Sequence, residues 1–107
     1  MKFGLKDKVI QQFGEVFRQY PEIESVVIYG SRAKGNYREG SDIDITLMGE
    51  RVTEDIRSRV WLDIDDLNTP YLIDLSVFHK LGSPDLVEHI TRVGKTLYKR
   101  KEQGEHV

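Results

Sequence analysis

The sequence predicts a small α/β (α+β) domain: a three- to four-stranded mixed sheet with helices packed on one face. Three observations carry that reading. Residues 42–47, DIDITL, alternate strictly, with Ile43, Ile45 and Leu47 pointing one way and Asp42, Asp44 and Thr46 the other. Residues 71–78, YLIDLSVF, alternate in the same manner, with Ile73, Leu75 and Val77 opposed to Leu72, Asp74, Ser76 and Phe78. Residues 5–20 instead place Leu5, Val9, Ile10, Phe13, Val16, Phe17 and Tyr20 within one arc at helical spacing.

The elements follow in order from those periods and from the residues that punctuate them. The first helix carries Lys8, Gln11, Glu15 and Arg18 on its polar side and stops before Pro21. Residues 25–29, SVVIY, are β-branched and aromatic and run into Gly30, the composition of a buried strand. Residues 30–41, with Gly30, Gly35, Gly40, Asn36 and Ser41, read as turn and loop. After the DIDITL strand, Thr53 is an N-cap with Glu54 and Asp55 in the first turn, and Ile56, Val60, Ile64 and Leu67 form a buried stripe that ends near Asn68–Pro70. Ser83-Pro84-Asp85 starts a third helix using Leu86, Ile90 and Val93 and closing at Gly94, and residues 96–98 form a short last strand. The domain therefore spans 1–98, and residues 99–107, KRKEQGEHV, are expected to form a charged, solvated tail.

With 107 residues the chain fits one compact domain. Hydrophobic residues at 38 % and charged residues at 32 % exclude a disordered chain. The net charge of −2 is evenly spread: seven basic and eight acidic side chains lie in residues 1–50, nine and ten in 51–107. That lacks the basic field needed to grip long nucleic acid, but leaves room for one nucleotide. The absence of cysteine excludes disulfides and thiolate zinc sites. No apolar run reaches the length of a membrane span, and the opening MKFGLKDKVI lacks the apolar core of a signal peptide, so a cytoplasmic location is the expectation.

Asp42 and Asp44 lie on one face of their strand, their Cβ atoms ~7 Å apart. Two carboxylates that close repel, and desolvating both raises at least one pKa. A divalent cation removes the conflict, and hard oxygen donors suit magnesium or manganese. An isolated Asp-x-Asp is more often two solvated side chains, but two further features shift the balance. Asp74 is a third carboxylate in the middle of another strand. Gly30-Ser31 closes the first strand with a backbone that a phosphate can approach closely and a hydroxyl that can donate to it. Arg32 and Lys34 would add positive charge beside it.

Gly30-Ser31, ten residues, then Asp42-Ile43-Asp44 resembles the signature of the DNA polymerase β nucleotidyltransferase superfamily. More narrowly, residues 5–98 look like a minimal nucleotidyltransferase, with 26–47 and 71–78 as the diagnostic parts. The resemblance implies that Gly30, Ser31 and Arg32 hold the triphosphate of ATP or another NTP. It implies that Asp42 and Asp44 bind two Mg2+ ions (or Mn2+), while Asp74 shares one and helps activate the attacking hydroxyl. It further implies AMP transfer to a tyrosine on a helical HEPN-domain partner, with this chain the antitoxin of a toxin–antitoxin pair. Two alternatives stand beside that reading. One is a non-catalytic subunit that neutralises its partner by contact; the other is a small-molecule transferase of the aminoglycoside type, disfavoured because no acceptor-binding domain is evident.

Other residues read more blandly. Arg38 is a solvated loop cation, Tyr37 packs on its own loop more readily than on a base, and Ser41 fixes the strand entry. His79, His89 and His106 show no metal-ligand spacing. Asp63, Asp65 and Asp66 form a solvated helix face. Trp61, at the margin of the second helix's stripe, and Leu62, well outside it, together suggest a protein interface within a homo- or hetero-oligomer.

Overall fold

Alternation and helical spacing place the apolar side chains of most elements on one side, and the computed structural model, which describes residues 2–101, shows what they build. The first helix, α1 (Asp7–Arg18), buries Phe13, Val16 and Phe17, with Leu5 fully buried just ahead of it. Strand β1 (Ser25–Tyr29) runs directly into α2 (Gly30–Lys34), a single turn of helix where the sequence suggested only loop. Its bounds have a backbone cause. Gly30 at φ +72° turns the chain out of the strand, and Gly35 at φ +88° terminates the turn five residues later in the left-handed conformation typical of a helix stop.

Strand β2 (Ile43–Met48) begins one residue later than expected. Helix α3 (Glu54–Asp65) is capped by Thr53, whose hydroxyl accepts from the Ile56 amide. Strand β3 (Ile73–Val77) leads through a 3-10 turn to α4 (Pro84–Val93), capped by Ser83 with Pro84 at its first position. Strand β4 (Lys95–Lys99) closes the sheet. Arg100, assigned to the solvated tail by composition, donates to the carbonyls of Ile23, Arg18 and Tyr20, so the ordered fold reaches at least that far. Residues 102–107 of the expected tail, including His106, lie outside the described residues.

The sheet order is β3-β2-β1-β4, with β2 parallel to β3 and the other pairs antiparallel, a mixed sheet as expected. Val26, Ile28, Ile43, Ile45, Leu47, Leu75 and Val77 join Phe13, Val16 and Phe17 of α1 and Val60 and Ile64 of α3 in one core. Each such fully buried side chain contributes about 1.5–3 kcal/mol relative to exposure. The alternate residues Val27, Tyr29, Asp44, Thr46, Asp74 and Ser76 face the other way. Only α4 reaches that side among the described helices longer than one turn, with His89 edge-on to Tyr29 at a ring separation of 6.3 Å. The rest of that face is what makes a site.

Candidate active site

Period-two alternation decides which side chains share a face, and strand register decides which of them are neighbours. Asp44 pairs with Asp74 across the parallel β2–β3 ladder and with Tyr29 across the antiparallel β1–β2 ladder. Thr46 and Ser76 pair one step further along, and the Ser76 hydroxyl donates to Thr46 Oγ1 at 2.9 Å. Asp42 lies in the extended segment just ahead of β2, two residues from Asp44 and exposed, as is Asp74; Asp44 is half-buried. The third acid therefore comes from the strand beside the first pair, on the same face.

The carboxylates feel one another. Burial pushes the Asp44 carboxyl above its ordinary range, and the charges of Asp74 and then Asp42 push it further, while His89 pulls it down. The Tyr29 phenol is likewise raised, first by burial and then, against the lowering effect of its hydrogen bond with Ser76, by Asp74 and Asp44. Among the described residues, no three His, Cys, Asp or Glu side chains are gathered tightly enough to hold a metal ion as they stand. The backbone sets the acids at neighbouring positions; mutual repulsion gives their side chains no reason to close on a common point. In kind, an all-carboxylate donor set with two charges crowding a third fits a hard divalent cation.

Gly30 ties the loop to these acids. A Cβ built on it would collide with the Asp44 carboxylate, and its φ of +72° is one that side-chain-bearing residues rarely adopt. Ser31 follows in the first turn of α2, partly buried. Gly30, Ser31, Asp44 and Asp74 are thus brought together, with Asp42 at the entry.

Arg32 departs from the expectation of a phosphate contact. It is 3 % exposed, and its guanidinium is committed to the carbonyls of Phe3 and Ser41. Lys34 and Arg38 are exposed, Tyr37 packs on Arg32 within its own loop, and the Ser41 hydroxyl accepts from the Arg38 amide at the strand entry. His79 is exposed, with its Nε2 bonded to the Val52 carbonyl. His89 and Tyr29 are walls of the site that sequence reasoning missed. Nothing in the spacing of α4 reveals which of its faces looks back at β2, and Tyr29 reads as one more apolar strand residue.

Away from the acids, Trp61, Leu62 and Leu72 are 40, 58 and 73 % exposed. Trp61 lines two adjoining shallow clefts, one with Arg57, Ser58 and Leu62 and one with Tyr71 and Leu72. The expected apolar patch on α3 thus extends to the approach to β3. No described helix is long and apolar enough to cross a membrane.

Comparison with known proteins places these observations among relatives. The family model described as "Polymerase beta, Nucleotidyltransferase" matches residues 11–103. Among solved structures, a chain from a toxin–antitoxin complex with AMP-PNP superposes with a TM-score of 0.69 at 19 % identity, over 86 % of this chain and 74 % of that one. A chain from the complex of a tri-AMPylated Shewanella oneidensis HEPN toxin with an MNT antitoxin gives 0.66 at 16 % identity, over 90 % and 74 %. A Sulfolobus solfataricus chain described as a nucleotidyltransferase gives 0.52 at 22 % identity, over 91 % and 92 %. No curated protein matches.

Proposed function

Because the chain belongs to the polymerase beta nucleotidyltransferase family, we propose that it is a magnesium-dependent adenylyltransferase. It transfers AMP from ATP to a protein hydroxyl, a tyrosine of a HEPN-domain partner, as the antitoxin of a toxin–antitoxin pair. The observation that carries the proposal is the register of Asp44 with Asp74, beside a glycine whose missing side chain makes room for the Asp44 carboxylate. The solved toxin–antitoxin complexes, one with AMP-PNP and one with an AMPylated toxin, support the nucleotide and the partner.

In this reading Gly30 and Ser31 orient the triphosphate, the glycine by letting backbone approach the phosphate oxygens and the serine by donating its hydroxyl. Asp42 and Asp44 would hold two divalent ions, with Asp74 sharing one and helping to draw the proton from the attacking hydroxyl. When bound, the ions would supply charge stabilisation for an in-line displacement at the α-phosphorus, with pyrophosphate leaving. Tyr29 and His89 close the side of the site next to β1 and α4. Arg57, Trp61, Leu62 and Leu72 offer a surface for the partner.

The test combines the protein with labelled ATP, Mg2+ and a HEPN-domain protein encoded beside it, and weighs the partner for a gain of one AMP. Asp42→Asn, Asp44→Asn and Asp74→Asn should each fold and each lose transfer. The exposed patch favours a second reading, neutralisation by contact alone. Tight complex formation without label, and neutralisation indifferent to all three aspartate substitutions, would select it.

A further inference from the structure

Arg32 is where four segments meet. Its Nη1 donates to the Phe3 carbonyl at 2.8 Å, while Nε and Nη2 both donate to the Ser41 carbonyl, at 3.1 and 2.8 Å. The guanidinium carbon lies 5.2 Å from the Tyr37 ring centroid and 5.1 Å from that of Tyr71. One planar cation thus joins the segment ahead of α1, the turn α2, the end of the loop and the lead into β3. A buried charge is costly unless its donors are satisfied, and this one is satisfied by two carbonyls and two ring faces. A lysine has the charge but not the rigid fork.

What the fork spans is the site itself. Arg32 follows Ser31 directly, and Ser41 directly precedes Asp42. The other bonds of the loop run the same way: the Asn36 amide donates to the Ser31 carbonyl, the Ser41 amide to the Arg38 carbonyl, and the Ile43 amide to the Leu72 carbonyl beside Tyr71. We propose that Arg32 is a positioning residue that locks the spacing between the Gly30–Ser31 turn and Asp42, acting through the Ser41 carbonyl and touching no nucleotide. The role assigned to Asp42 rests on the function proposed above; the locking of the loop does not.

Hydrogen exchange tests the lock without any chemistry. In Arg32→Lys, the hydrogen-bonded amides of Asn36, Arg38 and Ser41, and that of Ile43 at the start of β2, should exchange about tenfold faster, the loss of roughly one charge-assisted bond's protection, while the amides of β1 and of β2 beyond Ile43 keep their rates. Unchanged exchange across 36–43 overturns the proposal. Should Arg32→Lys loosen the whole sheet, Tyr37→Leu decides, because Tyr37 is 37 % exposed and its loss leaves the core filled. Faster exchange confined to 36–43 in that variant supports the lock, and none refutes it.

Binding of Mn2+ alone, read from the electron paramagnetic resonance of the free ion, tests the consequence. Arg32→Lys should weaken it about tenfold, as loss of a group that orients a metal ligand does, and the effect should vanish in an Asp42→Asn background. Equal weakening in both backgrounds marks a merely structural residue and overturns the positioning of Asp42. Wild-type protein that binds no Mn2+ counts against the metal reading of Asp42, and exchange then decides the lock by itself.

Discussion

Replacing Gly30 by alanine brings a backbone demand and a steric one together at a single methyl group. The backbone at φ +72° costs an alanine about 1–2 kcal/mol. The added Cβ also occupies the place of the Asp44 carboxylate oxygen. That oxygen ends a short side chain on a paired strand, so the carboxylate must swing aside. In a domain of this size each kcal/mol lowers Tm by roughly 4–8 °C, so the backbone term alone predicts a fall of about 5–15 °C. A catalytic group displaced by about 1 Å is worth roughly 10²-fold in rate. Melting followed by circular dichroism reads the first quantity, and the AMP transfer proposed above, to a HEPN-domain protein, reads the second. A double variant separates them: with Asp44→Ala already present, the collision is gone and only the backbone cost should remain. Gly30→Ala with an unchanged Tm and transfer within a few-fold of wild type would refute the reasoning. So would an alanine penalty that is no smaller when Asp44 is absent.

Asp44→Asn should raise Tm at neutral pH in metal-free buffer while abolishing transfer. Its folded carboxyl is raised above the unfolded value, so the cost of its charge is absent in acid and sets in as pH rises through the folded pKa; the variant's Tm against pH should be flatter over that range. Tyr20, partly buried and bonded to Asp63, is pushed up to about 12 from an ordinary value of 10 by desolvation and by that bond. The stabilisation from its protonated phenol is therefore complete below pH 10 and lost as pH rises towards about 12. Absorbance at 295 nm should show a late-ionising tyrosine that Tyr20→Phe removes. Thr53→Ala, which deletes the cap on α3, should cost about 1 kcal/mol and lower Tm by roughly 4–8 °C without altering transfer.

The facing of the three aspartates was legible because strand alternation is local. DIDITL and YLIDLSVF each announce which side chains oppose the apolar ones, and no distant contact is needed to say that Asp42 and Asp44 differ in facing from Ile43 and Ile45. The caps at Thr53 and Ser83 were legible for the same reason, since a hydroxyl three residues ahead of an amide meets it whatever the rest of the fold does. The turn of helix at Gly30–Lys34 was not. Two positive-φ glycines bracket it, and glycine announces a freedom of the backbone rather than the use made of it. Nor was the inward turn of Arg32, because a cation beside a Gly-Ser turn has the same composition whether it faces a phosphate or a carbonyl.

By itself, the order and spacing of residues determined the types of α1, α3, α4 and the strands, the apolar sides of α1, β2 and β3, and that three aspartates oppose the apolar residues of β2 and β3. Only tertiary structure decided that β3 lies parallel to β2 in the register that sets Asp74 against Asp44, that α4 brings His89 to Tyr29, and that Arg32 turns inward. The division has a physical basis. Periodicity follows from bond geometry within a few residues, whereas register, helix docking and the burial of a charge are settled by which distant surfaces exclude water together.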